Sequence, residues 1–168
     1  MVTDLTLGKE KYAAVQDEMA DIRGKAEALR SRLAEMVTLD AEAYGAVAAA
    51  MRLPKGTDAE KSVREEALQS ALKGAAMVPL QVAEAALEVA RLSLSAAEKG
   101  NTNAVSDAGV AVILADAAAQ SAALNVKINV SWIADEEFCH SVWSRVEATL
   151  SEAASLRDGV LALTYGKL

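Results

Sequence analysis

From Ala104 to Leu124 the chain is almost devoid of polar groups: after Asp107 only Asp116, Gln120 and Ser121 interrupt it. A helix that is apolar all round is normally buried. This segment therefore demands a fold with helices packed around it. Its entrance reads Gly100-Asn101-Thr102-Asn103-Ala104-Val105-Ser106-Asp107. Gly100 and Asn101 are expected to end the preceding helix, and Asn103 or Ser106 to cap the new one. Asp107 falls in the first turn, where the helix dipole favours an anion. Asn125 and Asn129, one turn apart, close the segment.

Composition supports an all-α reading. Apolar residues make up 52% of the chain but aromatics only 4%, and only two prolines interrupt it. Much of the apolar content is alanine, the strongest helix former and small enough for close helix approach. The predicted fold is an antiparallel bundle of about five helices, one domain over residues 1–168. A length of 168 residues buries a substantial core without disulfides.

The net charge of −7 disfavours nucleic acid as a main partner. Cys139 and His140 are the only residues of their kinds, which excludes an intrachain disulfide, a thiolate cluster and a His-rich zinc site. Both read as structural or exposed. Acids at Asp4 and Glu10 and the lack of a long apolar core argue against a signal peptide. The run Gly109–Leu124 carries Asp116 and Gln120 and is rich in small residues, so a bundle helix is expected rather than a membrane span. The chain is expected to be cytoplasmic.

Val2–Leu5 reads as a helix tail, with Gly8 the terminator in a turn over Thr6–Lys11. A long helix is predicted from Tyr12 to Val37, on the spacing of Val15, Met19, Ile22, Ala26, Leu29, Leu33 and Met36. It either ends at Thr38-Leu39-Asp40, before a second helix Ala41–Met51, or continues through. Gly24 and Gly45 inside the helical pattern imply close packing there. Thr57-Asp58-Ala59-Glu60 forms a capping box for a helix reaching Lys99, with Pro79 expected to kink it. Val126–Val130 alternates like a strand but has no partner strand and is assigned to helix. Asp135 caps or bends into the last helix, Glu136–Leu163. Trp132 and Trp143 are expected in the core or at an interface.

Four segments in order, MVTDLTLGKEKY, MRLPKGTDAEKSVREEALQSAL, GNTNAVSDAGVA and ALNVKIN, resemble the cyclodeaminase/cyclohydrolase family of folate enzymes. Its members include formiminotetrahydrofolate cyclodeaminase, often half of a bifunctional enzyme, and bacterial methenyltetrahydrofolate cyclohydrolases. The resemblance implies one-carbon folate chemistry, with cyclodeamination first and cyclohydrolysis second. A non-catalytic folate-binding or scaffold bundle is the third reading. It further implies a tetrahydrofolate substrate, possibly polyglutamylated, no cofactor beyond it, and a formiminotransferase as a possible partner. Related chains carry an earlier helix preceded by a glycine-rich loop. Met1 lies inside that helix, so an N-terminal truncation relative to the family is expected.

On this resemblance Asp107 is the candidate acid/base, its burial expected to raise its pKa; a helix-cap carboxylate is the plain alternative. Lys9 and Lys55 become candidate ligands of folate carboxylates, Arg64 a weaker one, although surface lysines and arginines are ordinarily just solvated. Tyr12 either stacks on the pterin or packs in the core. Asn125 and Asn129 either meet a pterin edge or bond between helices. Asn101, Asn103 and Ser106 complete the candidate substrate set. On an unbroken helix Asp107 and Asn125 share a face roughly 27 Å apart along the axis, a gap that a long folate or a symmetric dimer would bridge. A homodimer is expected, because the apolar helix leaves more apolar surface than one small bundle covers.

Overall fold

The computed structural model describes residues 1–168, and all of its regular structure is helical. The elements are α1 (Val2–Thr6), α2 (Gln16–Met51), α3 (Asp58–Lys99), α4 (Val105–Val130) and α5 (Glu136–Lys167). Short 3-10 turns precede α2 (Glu10–Val15) and α4 (Thr102–Ala104).

α3 is the axis of the molecule, in contact with α2, α4 and α5. Lys99 reaches back to Glu18 at 2.8 Å, so α2 and α3 run antiparallel. Asn129 bonds to Ala75, which sets α4 antiparallel to α3. Asp116 pairs with Arg157 at 2.7 Å, and α5 returns along α4. α3 and α5 therefore run parallel, joined by Lys73–Asp135, Glu84–Arg145, Arg91–Glu152 and Lys167 to the Ala97 carbonyl.

Small side chains set the spacing. Ala83, Ala86, Ala119 and Ala122 pack together where α3 crosses α4. A methyl group on Gly109 would sit 3.1 Å from Thr164 of α5, so close approach depends on that glycine. Gly24 and Gly45 have nothing within 4 Å of the place a Cβ would take. The close packing expected at those two positions is absent, because both lie on the open side of α2.

α2 begins at Gln16, four residues later than its apolar spacing suggests, and then runs through Thr38–Asp40 without a break. The Gln16 side chain explains the late start. Its Oε1 accepts from the Gly8 amide at 2.7 Å and its Nε2 donates to the Tyr12 carbonyl at 2.9 Å, tying down the turn ahead of the helix. Gly8 has φ of 73°, the left-handed conformation that ends α1. The Thr57–Glu60 capping box forms as expected, and α3 passes through Pro79 without ending. Asp135 accepts from the Phe138 amide and caps α5, which extends past Leu163 to Lys167.

The span Thr102–Val130 is long and apolar enough to cross a membrane, with mean hydropathy 1.4. In this fold it packs between α3 and α5 with Asp116 buried against Arg157. Its burial is not complete. Val110, Ile113, Leu114, Leu124 and Ile128 form an exposed stripe on one side.

Candidate functional site

α2 and α4 lean on α3 without closing on each other. The gap is a trough with α3 as its floor, consisting of three successive cavities of about 420, 450 and 260 Å³. Leu33 lines both the first and the second, and Asp40 and Asn125 line both the second and the third. At one end lie α1 and Asp107; at the other lie Tyr44, Asn129 and Trp132.

The Asp107 end is built by Asn101, which is 4% exposed. Its backbone amide donates to Thr6 Oγ1 at 2.8 Å, and its Nδ2 donates to the Leu5 carbonyl at 2.8 Å. Its Oδ1 accepts from the Asn103 amide at 3.0 Å and from the Tyr12 hydroxyl at 3.4 Å. Every polar atom of the side chain is thus used inside the chain. Asn101 holds the loop ahead of α4. Gly100 is required beside it, since a Cβ there would meet both the Ala96 carbonyl and Val2 at 2.5 Å. Tyr12 also accepts from the Thr102 amide at 3.2 Å, and its bonding to Thr102, with the nearby Lys11 charge, holds its hydroxyl below the usual phenol pKa. It therefore fastens the loop as well.

The cap expected from Asn103 or Ser106 does not form. α4 follows Ala104 with no side-chain cap, and the 3-10 turn at Thr102–Ala104 is capped by Asn101 instead. Asp107 is no cap either. Its carboxylate makes no hydrogen bond and no ion pair, and it lines the first cavity among Ile22, Val89, Ala96 and Ala111. It is partly buried, because the trough is open toward solvent. Lys9, Asn103 and Ser106 are exposed at this same end.

The remaining candidates lie at the other end. Lys55 is exposed in the α2–α3 connection. Arg64 donates its Nε to the Met51 carbonyl at 3.3 Å and closes the end of α2. Asn125 donates to Ser121 on its own helix, and Asn129 to Ala75 on α3. The candidate set thus falls into two groups at opposite ends of one trough. Tyr44, Asp40 and Trp132 belong to the far group and escaped the sequence reading, since none stands in a distinctive motif. Trp132 is 69% exposed, not core. Trp143 holds Lys127 over its ring at 4.4 Å. No cluster of three or more His, Cys, Asp or Glu residues is placed to hold a metal.

An all-α trough with an unpaired carboxylate at one end and amides at the other has the concave, mostly apolar form of small-molecule sites. The sequence model described as Formiminotransferase-cyclodeaminase matches residues 1–148. The methenyltetrahydrofolate cyclohydrolase of Methylorubrum extorquens is 42% identical over 168 residues, 100% of this chain and 81% of that protein. The formimidoyltransferase-cyclodeaminase of Rattus norvegicus is 31% identical over 153 residues, 91% of this chain but only 28% of that protein. The crystal structure of formiminotetrahydrofolate cyclodeaminase from Thermotoga maritima superimposes with a TM-score of 0.88 at 31% identity, covering 99% of this chain and 79% of that one. The chain belongs to the formiminotransferase-cyclodeaminase family. It is a folate enzyme of the cyclodeaminase or cyclohydrolase kind.

Proposed function

We propose that this chain hydrolyses the methenyl bridge of 5,10-methenyltetrahydrofolate, with Asp107 as the proton-moving group. The observation that supports the acid–base role is Asp107 itself, a carboxylate without an internal partner on the wall of an apolar trough; the order of the two reactions follows the similarity to a cyclohydrolase. A cap would have spent that carboxylate on backbone amides; here it is free to accept a proton.

Water adds to the cationic carbon between N5 and N10 and gives a tetrahedral centre. The bond from that carbon to N5 then breaks, and the carbon stays on N10 as a formyl group. Of the water's two protons, one ends on N5 and the other leaves to solvent. Asp107 is suited to take the first as the water attacks, and the trough to align the two arms of the folate. The step as written uses only folate and water.

Cyclodeamination is the second reading. There N10 attacks the formimino carbon on N5, and the same tetrahedral geometry expels ammonia. The sequence placed this reaction first. The 42% identity over the whole chain to a cyclohydrolase, against 31% to the cyclodeaminases, favours the reverse order. A formiminotransferase partner belongs to the second reading only.

We further propose that a second copy completes the site. Val110 and Ile128, and Leu114 and Leu124, are placed symmetrically about residue 119, Ile113 extends the stripe at one end, and exposed Ala117 and Ala118 lie near its centre. Small residues at the middle and large ones at both ends suit an antiparallel pairing of two α4 helices. With a two-fold axis near residue 119, the partner subunit's Asn125 lies roughly 9 Å along the axis from Asp107, instead of the 27 Å or so within one chain.

The test offers 5,10-methenyl- and 5-formimino-tetrahydrofolate separately and follows the methenyl absorbance and ammonia. Loss of the methenyl absorbance with the first supports hydrolysis. Its appearance with ammonia from the second supports cyclodeamination, and turnover of neither overturns both.

A further inference from the structure

The far cavity of the trough is lined unlike the rest. The chain has only two tryptophans, three tyrosines and one phenylalanine. Two of these six, Tyr44 and Trp132, line this one cavity of about 260 Å³. They are 75% and 69% exposed, so neither contributes its ring to the core. Exposed aromatic rings in the lining of a largely apolar cavity offer stacking surfaces to a flat ring. The cavity lies below the roughly 300 Å³ that encloses a whole drug-sized ligand, and suits one ring system.

Its polar lining combines unpaired oxygens on Asp40, Asn125 and Asn129 with the Tyr44 hydroxyl and the Trp132 indole N–H. Asn125 has given its Nδ2 to the Ser121 carbonyl at 3.2 Å, and Asn129 its Nδ2 to the Ala75 carbonyl at 2.9 Å. Both amide oxygens remain unbonded. Asp40 makes no ion pair or hydrogen bond within the chain, yet it lines the same cavity. A ligand that meets the Asp40 carboxylate and the two amide oxygens brings N–H donors to them. The unpaired Asp40 carboxylate disfavours an anionic group beside it, whereas an aminopyrimidine edge, with its exocyclic amine and ring N–H, matches.

We propose that Asp40, Tyr44 and Trp132, with the amide oxygens of Asn125 and Asn129, bind a planar heteroaromatic ring through its N–H edge. Under the folate reading of the previous section, on which this identification rests, the ring is the pterin. The paired arrangement of α4 helices then sets the ring of one copy beside Asp107 of the other.

The test measures binding of 5-formyltetrahydrofolate, 6-methyltetrahydropterin and 2,4-diaminopyrimidine to the whole chain by calorimetry, and by quenching of tryptophan fluorescence. The folate and the free pterin are expected to bind, with quenching lost in Trp132→Phe. Asp40→Asn and Tyr44→Ala are expected to weaken both by roughly tenfold or more, the worth of a hydrogen bond to a charged group. All three side chains are exposed, so the variants keep the fold. Equal affinity of wild type and variants for the folate overturns the ring site and leaves the folate reading intact. Binding of the diaminopyrimidine but not the folate supports the ring site and removes the folate reading. Binding of none of the three overturns both.

Discussion

Asn129 donates its side-chain amide to the Ala75 carbonyl at 2.9 Å, and Ala75 is the residue whose carbonyl Pro79, four places on, has no N–H to reach. An interior proline leaves such an acceptor orphaned. Here the neighbouring helix supplies the donor, and α3 runs on through a buried Pro79. Asn129→Ala is expected to cost about 1–3 kcal/mol, the penalty for an unsatisfied buried acceptor. In a Pro79→Ala background the backbone regains its own donor, and Asn129→Ala should cost much less. Denaturant unfolding of the four variants measures this coupling; additive effects would contradict it.

The start of α5 is sensitive to acid. Asp135 accepts from the Lys73 ammonium at 2.6 Å and from the Phe138 amide, and both hold its carboxyl below the usual carboxylate range. A carboxyl with a depressed folded pKa stabilises the fold fully above its unfolded value of about 4, and loses that contribution as pH falls through the lower folded value. Asp135→Asn should therefore be less stable than wild type at neutral pH, and the gap should narrow in strong acid. Thermal unfolding across that range checks the sign.

The exposed α4 stripe predicts self-association. Leu114→Asp places a charge at a position 64% exposed in the single chain, so the helix itself tolerates it. Sedimentation should show a wild-type dimer and a monomeric variant with unchanged helicity. A monomeric wild type at micromolar concentration would remove the pairing.

Asp107→Asn should leave the fold unchanged, since the carboxylate bonds to nothing in the chain, and lower turnover by about a hundredfold or more, the usual share of general acid–base catalysis. Unchanged turnover would return Asp107 to a helix-entrance role.

Much of this architecture was legible in local chemistry. The Thr57–Glu60 box, the Gly8 terminator and the Asp135 cap act over a few residues, so their spacing alone declared them. Contacts between distant segments were not. The structural role of Asn101 was not legible, because its bonds to Leu5 and Thr6 cross 95 or more positions. Ser106 and Asn103 looked like caps, but Asn101 took that task by capping a 3-10 turn. The apolar helix was expected to be buried, yet its outer stripe is not, since periodicity counts apolar faces without saying how many neighbours arrive. One signal was available and went unused. A proline inside a helix announces an orphan carbonyl four residues earlier, and an amide on an otherwise apolar helix is a natural donor for it.

The central claim is that Asp107 of one copy and Asn125 of another serve a single site. Mixing two impaired variants, Asp107→Asn and Asn125→Ala, tests it most directly. Each alone should turn over slowly. After joint unfolding and refolding in equal amounts, half the dimers should be mixed, and each mixed dimer should carry one site with both native residues. The account predicts recovery to about a quarter of wild-type turnover, as two-fold symmetry requires. Activity no greater than the mean of the two variants would contradict a shared site.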